Sequence, residues 1–192
     1  MILAEANPID GPSFSTRNRL ARVAWQIVWL GLFRPTPPPL HAWRCWLLRR
    51  FGARIAAGCH VYGDVRIWAP WNLEMAPKAC LGPRVICYSM APIMIGERAV
   101  VSQGAHLCTG SHDYTVARFP LFARPIDIGA DAWICTEAFI GPGVQIGEGA
   151  VVGARAVAMR SQPAWMVCAG NPAGPIKPRS HPRRVHRIGE VD

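Results

Sequence analysis

The side chains best suited to chemistry lie close together between His106 and Tyr114, in the stretch HLCTGSHDY. His112 is the candidate catalyst. An imidazole that titrates near neutral pH can take the proton of a hydroxyl group as that hydroxyl attacks an acyl carbonyl. Asp113 is adjacent and could orient the ring or touch an acceptor, although neighbouring side chains in an extended segment point apart. Tyr114 could line the acceptor pocket. Cys108, four positions before His112, raises a Cys and His nucleophile pair as an alternative. His106 is expected to face outward, and His41, His60, His181 and His186 have no comparable setting. The sequence contains no P-loop, GxSxG, HExxH or paired CxxC motif.

What must position these residues is a repeat. From Ile128 an aliphatic residue returns every six positions, at Ile134, Ile140, Ile146 and Val152, with Ala158 one step further. A period of six fits neither a 3.6-residue helix nor a two-residue strand alternation. Four places after each aliphatic residue comes a small one: Ala132, Ala138, Val144, Ala150 and Ala156. Gly129, Gly141, Gly147 and Gly153 immediately follow four of the aliphatic residues. Each unit therefore reads as a short strand and a tight corner, with the glycine where a Cβ would obstruct the turn.

The same pattern runs upstream through Ile95, Val101 and Leu107, with Ala99, Ala105 and Ser111 in the small slot. Before it come Met75, Leu81 and Cys87, with Ala79, Val85 and Ala91, and more loosely Ile55, Val61, Ile67 and Leu73. The solenoid is expected over 55–162, preceded by an arm and amphipathic helices at 1–54 and followed by a turn and basic tail at 163–192. Residues 112–127 break the ladder. They are too irregular for another coil, and their Tyr114, Phe119 and Phe122 are too apolar to float free. An extruded loop on a rigid scaffold is a usual place for a site, and this one is expected to cover an acceptor pocket. Cys108 and Cys135 each follow an aliphatic residue, in a slot that selects for size, so direct attack in a ternary complex is favoured over an acyl-enzyme, with backbone N–H groups stabilising the oxyanion.

The ladder, the loop CTGSHDYTVARFP, the segment IGADAWICTEAFIGPGVQIGEGAVVGARAV and the terminal CAGNPAGPIKPR resemble the hexapeptide-repeat acyltransferases. Within that family the chain is similar to the branch of colanic acid biosynthesis O-acetyltransferases, over residues 15–179. The resemblance implies an all-β, left-handed parallel β-helix of triangular section. It also implies a homotrimer, acetyl-CoA as co-substrate and His112 as the catalytic base. Carried over by position, Thr136 and Ala154 fall beside the pantetheine arm. Met159 and Arg160 stand where relatives often have Thr-Lys, so the charge is kept and a hydroxyl is lost. Lys177 matches a basic position after the GNPA turn, whereas Gly174 replaces a frequent Arg, which leaves the phosphates to Arg160, Lys177 and Arg179. Trp133 could stack near the reacting centre or be buried between subunits.

Composition sets further bounds. The 192 residues suit one domain, and 51% hydrophobic against 17% charged residues suits a solenoid with some outer surface covered by another subunit. The net charge of +9, with arginines read as spread along the chain, favours a phosphorylated ligand or an anionic surface over nucleic acid. Seven cysteines without a CxxC pair indicate reduced thiols and a cytoplasmic protein. Neither a signal peptide nor a membrane span is expected, since Val23 to Phe33 is too short to cross a bilayer.

A helix is expected from Thr16, capped by Thr16, with one apolar stripe at Leu20, Val23, Ala24, Ile27 and Gly31 and a second at Trp25, Trp29 and Leu32. Such a helix is buried on two sides or lies against the inner face of a membrane, with Arg17, Arg19, Arg22 and Arg34 available for lipid phosphates. A second helix, Leu40 to Phe51, follows the proline bend, with Trp43, Trp46 and Leu47 on one side.

The favoured activity is acetyl transfer from acetyl-CoA to a hydroxyl of a sugar or exopolysaccharide precursor. The alternatives are a non-glycan acceptor (an amino acid hydroxyl or an antibiotic), a non-catalytic scaffold, and a metal-dependent carbonic-anhydrase-like relative. The last needs three converging histidines, and beyond His60 in its looser first coil the solenoid holds only His106 and His112, so no metal is expected.

Overall fold

The computed structural model describes residues 13–180. Short parallel strands stack into a three-sided, left-handed β-helix of about six turns behind two N-terminal helices. The first face is built from strands at 54–55, 73–75, 93–95, 126–128 and 145–146. The second uses 60–61, 80–81, 100–101, 133–134, 151–152 and 166–170, and the third 66–67, 86–88, 106–108, 139–140 and 157–158. Ile55, Met75, Ile95, Ile128 and Ile146 point inward from the first face, and Val61, Leu81, Val101, Ile134 and Val152 do so from the second. Ile67, Cys87, Leu107, Ile140 and Ala158 complete the interior from the third face, all of them buried. The six-residue ladder is thus the core.

Two details of the repeat differ from the sequence reading. Leu73 is not a rung: like Ile93 and Ile126 it fills the slot held elsewhere by alanine or valine, two residues before Met75. Ala91 is only half buried and Ser111 belongs to a hairpin, so neither occupies that slot. The early coils run twenty residues because their third-to-first corners are longer, one of them holding the turn Pro70–Asn72. Buried Ser89 closes that corner, donating to the Ala69 carbonyl and accepting from the Ala69 N–H, both at 3.0 Å.

The glycines act differently from the expectation too. The left-handed corner residue comes immediately before the small slot, and it is Gly58, Gly104, Gly143 or Gly149 in some coils and Lys78, Arg84, Arg98, Asp131, Glu137 or Arg155 in others. Gly96, Gly129 and Gly147, after the aliphatic residue, are needed for close stacking instead. A Cβ on Gly147 would lie 2.3 Å from the Ala164 nitrogen, and one on Gly96 2.5 Å from the Ala130 nitrogen. Ion pairs join the stacked corners, Arg98 to Asp131 at 2.7 Å and Arg155 to Glu137 at 2.6 Å.

Helix α1 (Thr16–Val28) is capped by the Ser15 side chain rather than by Thr16. Its Trp25, with Trp29 in the π-helical turn Trp29–Phe33 that follows, packs on the prism, where the two indole N–H groups donate to the Ile67 and Val65 carbonyls at 2.7 and 2.8 Å. Leu20, Val23 and Ile27 lie on the opposite side, exposed. In α2 (His41–Arg50) the expected faces are reversed: Arg44, Cys45, Leu47 and Leu48 are buried, while Trp43 and Trp46 stack on each other at the surface. Arg44 can be fully buried because its guanidinium meets the carbonyls of Pro37, Pro38 and Val61 and the Thr36 hydroxyl. All but Val61, which lies on the second face, line the proline bend, and their number compensates the loss of water.

At the far end Met166–Gly170 extends the second face in parallel with Val151 and Val152, then turns back antiparallel through Ala173–Pro178. The sequence pattern predicts turns at SQP and AGNPAGP, and the second of these runs is instead largely strand. Parts of the expected N-terminal arm and basic tail, residues 1–12 and 181–192, lie outside the described residues.

Candidate active site

The break in the ladder is an antiparallel hairpin at the third-to-first edge, pairing Gly110–His112 with Leu121–Ala123. Its base is fixed by Thr109, which is fully buried. The Thr109 hydroxyl donates to the Tyr88 carbonyl at 2.8 Å and accepts from the Ala91 N–H, while its carbonyl accepts from the Arg124 N–H. Three polar contacts thus tie the start and end of the hairpin to the coil below.

His112 sits opposite Leu121 in the hairpin. Its Nδ1 lies 3.1 Å from the Phe119 carbonyl oxygen, and its ring stacks on Phe119 with centroids 4.4 Å apart and planes 5° apart. A carbonyl oxygen can only accept, so Nδ1 carries a hydrogen, and in the neutral ring Nε2 is the nitrogen that presents its lone pair. Phe119 adopts a positive φ of 46°, which turns its carbonyl back to the imidazole. The group that orients the His112 ring is thus a backbone carbonyl across the loop. Asp113 instead accepts from the Thr115 N–H at 3.0 Å and the Thr115 hydroxyl at 2.6 Å, and these two bonds hold its carboxyl below the usual range.

A groove of about 530 Å³ opens beside the hairpin, lined by His112, Asp113, Tyr114, Phe122, Arg124 and Met159 among others. Met159 reaches it because it follows the third-face strand Val157–Ala158 at the same edge of the prism. Of the sequence-derived candidates, Asp113, Tyr114 and Met159 therefore gather around His112, and Arg160 is exposed next to Met159.

The remaining candidates lie on other parts of the prism. Thr136 and Ala154 occupy second-to-third corners in successive coils, stacked so that the Arg155 N–H donates to the Thr136 carbonyl at 2.9 Å. Trp133 projects from the second face, half exposed, its indole N–H donating to the Ser102 hydroxyl at 2.8 Å. Lys177 is exposed on the return strand opposite Val167. Arg179 is committed elsewhere: its guanidinium donates to the Asp131 and Gly149 carbonyls at 2.9 and 2.8 Å and packs over Trp165. A full face of the prism separates the His112 edge from the Thr136 edge within one chain.

Cys108 donates to the Gly110 carbonyl at 3.2 Å, and burial pushes its thiol up. That disfavours the thiolate a nucleophile requires. His106 packs edge-on against Phe139 outside the third face, and burial pushes its imidazole down. Among the described residues no three His, Cys, Asp or Glu side chains are grouped to hold a metal ion. The sequence marks Phe119 only as an apolar loop residue and gives Thr109 no role. Nothing short of the hairpin register signals that a phenylalanine carbonyl will face the histidine.

Comparison with known proteins gives this prism a family. No family model matches the chain. It is 42% identical over 166 residues, 86% of its own length and 91% of the relative's, to the acetyltransferase WcaF of Escherichia coli strain K12, named for colanic acid biosynthesis. The chain belongs to the hexapeptide-repeat acetyltransferases. Two solved structures share the fold. A maltose O-acetyltransferase from Clostridium difficile 630 superposes with a TM-score of 0.77 at 23% identity, covering 87% of this chain and 90% of that one. The hexapeptide-repeat acetyltransferase VCA0836 of Vibrio cholerae O1 biovar eltor, complexed with acetyl-CoA, gives 0.77 at 23% identity, covering 87% and 91%.

Proposed function

We propose that this protein is an O-acetyltransferase that moves the acetyl group of acetyl-CoA onto a hydroxyl of a sugar or exopolysaccharide precursor, by direct transfer with His112 as general base. The supporting observation is the Nδ1 contact to the Phe119 carbonyl, which leaves Nε2 free to accept a proton at a groove large enough for a sugar. In this reading Nε2 takes the hydroxyl proton as the oxygen attacks the thioester carbonyl. The C–O bond forms, the C–S bond breaks, and the imidazolium returns its proton to the departing sulfur. Asp113 and Tyr114 contact the acceptor.

The separation of the two edges supports a homotrimer whose site is shared. Thr136, Ala154 and Trp133 of one protomer then line the pantetheine channel facing the His112 hairpin of the next, and Met159, Arg160 and Lys177 border its ends. Arg160 and Lys177 are exposed with no acidic partner among the described residues, as phosphate binding requires. The seven unpaired thiols suit a cytoplasmic enzyme. The test is thiol release from acetyl-CoA across a panel of sugar, amino-sugar, amino-acid and antibiotic hydroxyl acceptors. At least one sugar should give turnover that His112→Ala lowers about 10²-fold or more. Equal rates in the two proteins, or release with none of the sugars, would defeat the proposal.

A further inference from the structure

The chain's charge is concentrated in one place. Residues 11–63 hold eight arginines and no Asp or Glu, leaving thirteen basic against twelve acidic residues in the rest of the chain. The sequence reading treated the arginines as dispersed, but nearly the whole +9 resides in the helical segment. Several of the eight are used internally. Arg44 is sewn into the proline bend, Arg49 donates to the Ile55 and Ala56 carbonyls, Arg54 pairs with Glu74, and Arg22 lies over Trp68. Arg17, Arg19, Arg34 and Arg50 are exposed, and none forms an ion pair among the described residues.

These cations flank an apolar surface. Leu20, Val23, Ile27 and Leu30 follow one another at three- and four-residue steps, on the side of α1 turned away from buried Trp25 and Trp29, and each is more than half exposed. At the C-terminal end of this stripe Leu32 is also exposed, and its carbonyl accepts from the Trp43 indole, which stacks on Trp46 with ring centroids 5.0 Å apart. Leu30 further borders a groove of about 460 Å³ walled by Trp29, Trp68 and Tyr88, with Arg34 and Arg66 among its lining residues. An apolar helix face, surface tryptophans and unpaired arginines together make the pattern of a helix lying in a bilayer interface. No described helix is long and apolar enough to cross a membrane.

We propose that the outer face of α1 is a docking surface for an anionic lipid bilayer, with Leu20, Val23, Ile27 and Leu30 entering the acyl boundary and Arg17, Arg19, Arg34 and Arg50 meeting headgroup phosphates. A second copy of the chain is the less suitable occupant, because a subunit of identical composition would bring the same uncompensated arginines against these. The docking is separate from the chemistry at His112.

Flotation of the full chain with phosphatidylcholine vesicles, with and without phosphatidylglycerol, tests it. The protein should float with the phosphatidylglycerol vesicles and stay behind with phosphatidylcholine alone. Exchanging Arg17→Gln or Arg19→Gln should weaken binding roughly fivefold each at low salt. The triple variant L20S/V23S/I27S should abolish flotation while keeping the solution mass, the helical circular dichroism and turnover of a soluble acceptor. Absence of flotation by the unaltered protein, or flotation undiminished in the triple variant, overturns the proposal. A lower mass of the triple variant without vesicles also overturns it, because the face would then be an interface between copies.

Discussion

The Nδ1 hydrogen of His112 is held by the Phe119 carbonyl at 3.1 Å while the two rings stack nearly parallel. One residue thus fixes both the hydrogen-bonded nitrogen and the plane of the His112 ring. Phe119→Ala keeps the carbonyl and removes the stack, so the ring should lose its alignment. Turnover should fall about tenfold or more, because a misplaced reacting group is costly, with little change in the KM for acetyl-CoA. Steady-state kinetics check this, and an unchanged kcat would show that the stack does no positioning.

Cys108→Ser separates direct transfer from an acyl-enzyme. With the thiol raised by burial and bonded to the Gly110 carbonyl, Ser should retain activity to within about twofold, since only a nucleophile would lose orders of magnitude. Trapping of an acetylated protein by mass spectrometry would contradict the expectation.

The stacked corners make a stability prediction. Gly147→Ala places a Cβ against the backbone of Ala164 and should cost about 1–3 kcal/mol. Gly174→Ala meets nothing within 4 Å and should be nearly neutral. Thermal unfolding of the two variants measures the contrast.

Asp131 carries a pH signature. Its hydrogen bonds from Arg98 hold the carboxyl below the usual range. A depressed folded-state pKa contributes stability that is present above the unfolded value of about 3.9 and is lost as pH falls through the folded one. Asp131→Asn should therefore unfold at lower temperature than the parent near neutral pH, and the difference should shrink as the pH is taken below the ordinary carboxylate range. A difference that persists in acid would mean the ion pair is not its source.

Much of this was legible in the sequence for a physical reason. A solenoid has one interior row per face, so Ile128, Ile134 and Ile140 must recur at the length of a side, and the ladder is the fold. His112 stands out in the sequence because it lies where the ladder breaks, and its role as base is the proposal under test. The corner glycines misled because two constraints share the corner. Close stacking selects the residue after each rung, while the left-handed turn falls three residues after the rung itself, where Arg98 or Glu137 serves as well as Gly104. Burial of Arg44 and exposure of Trp43 were not legible, since α2 is oriented by the carbonyls of a proline bend that helical spacing does not report. The division of the candidates between two edges follows from counting corners, yet its meaning depends on how copies meet.

The shared site is therefore the claim to test most directly. Co-expressing His112→Ala with a channel-blocking Thr136→Trp, each inactive alone, should restore about a quarter of the parent's turnover per chain. In every mixed trimer of a closed ring one seam pairs an intact His112 edge with an intact Thr136 edge. No recovery in trimers verified to contain both variants would contradict the account.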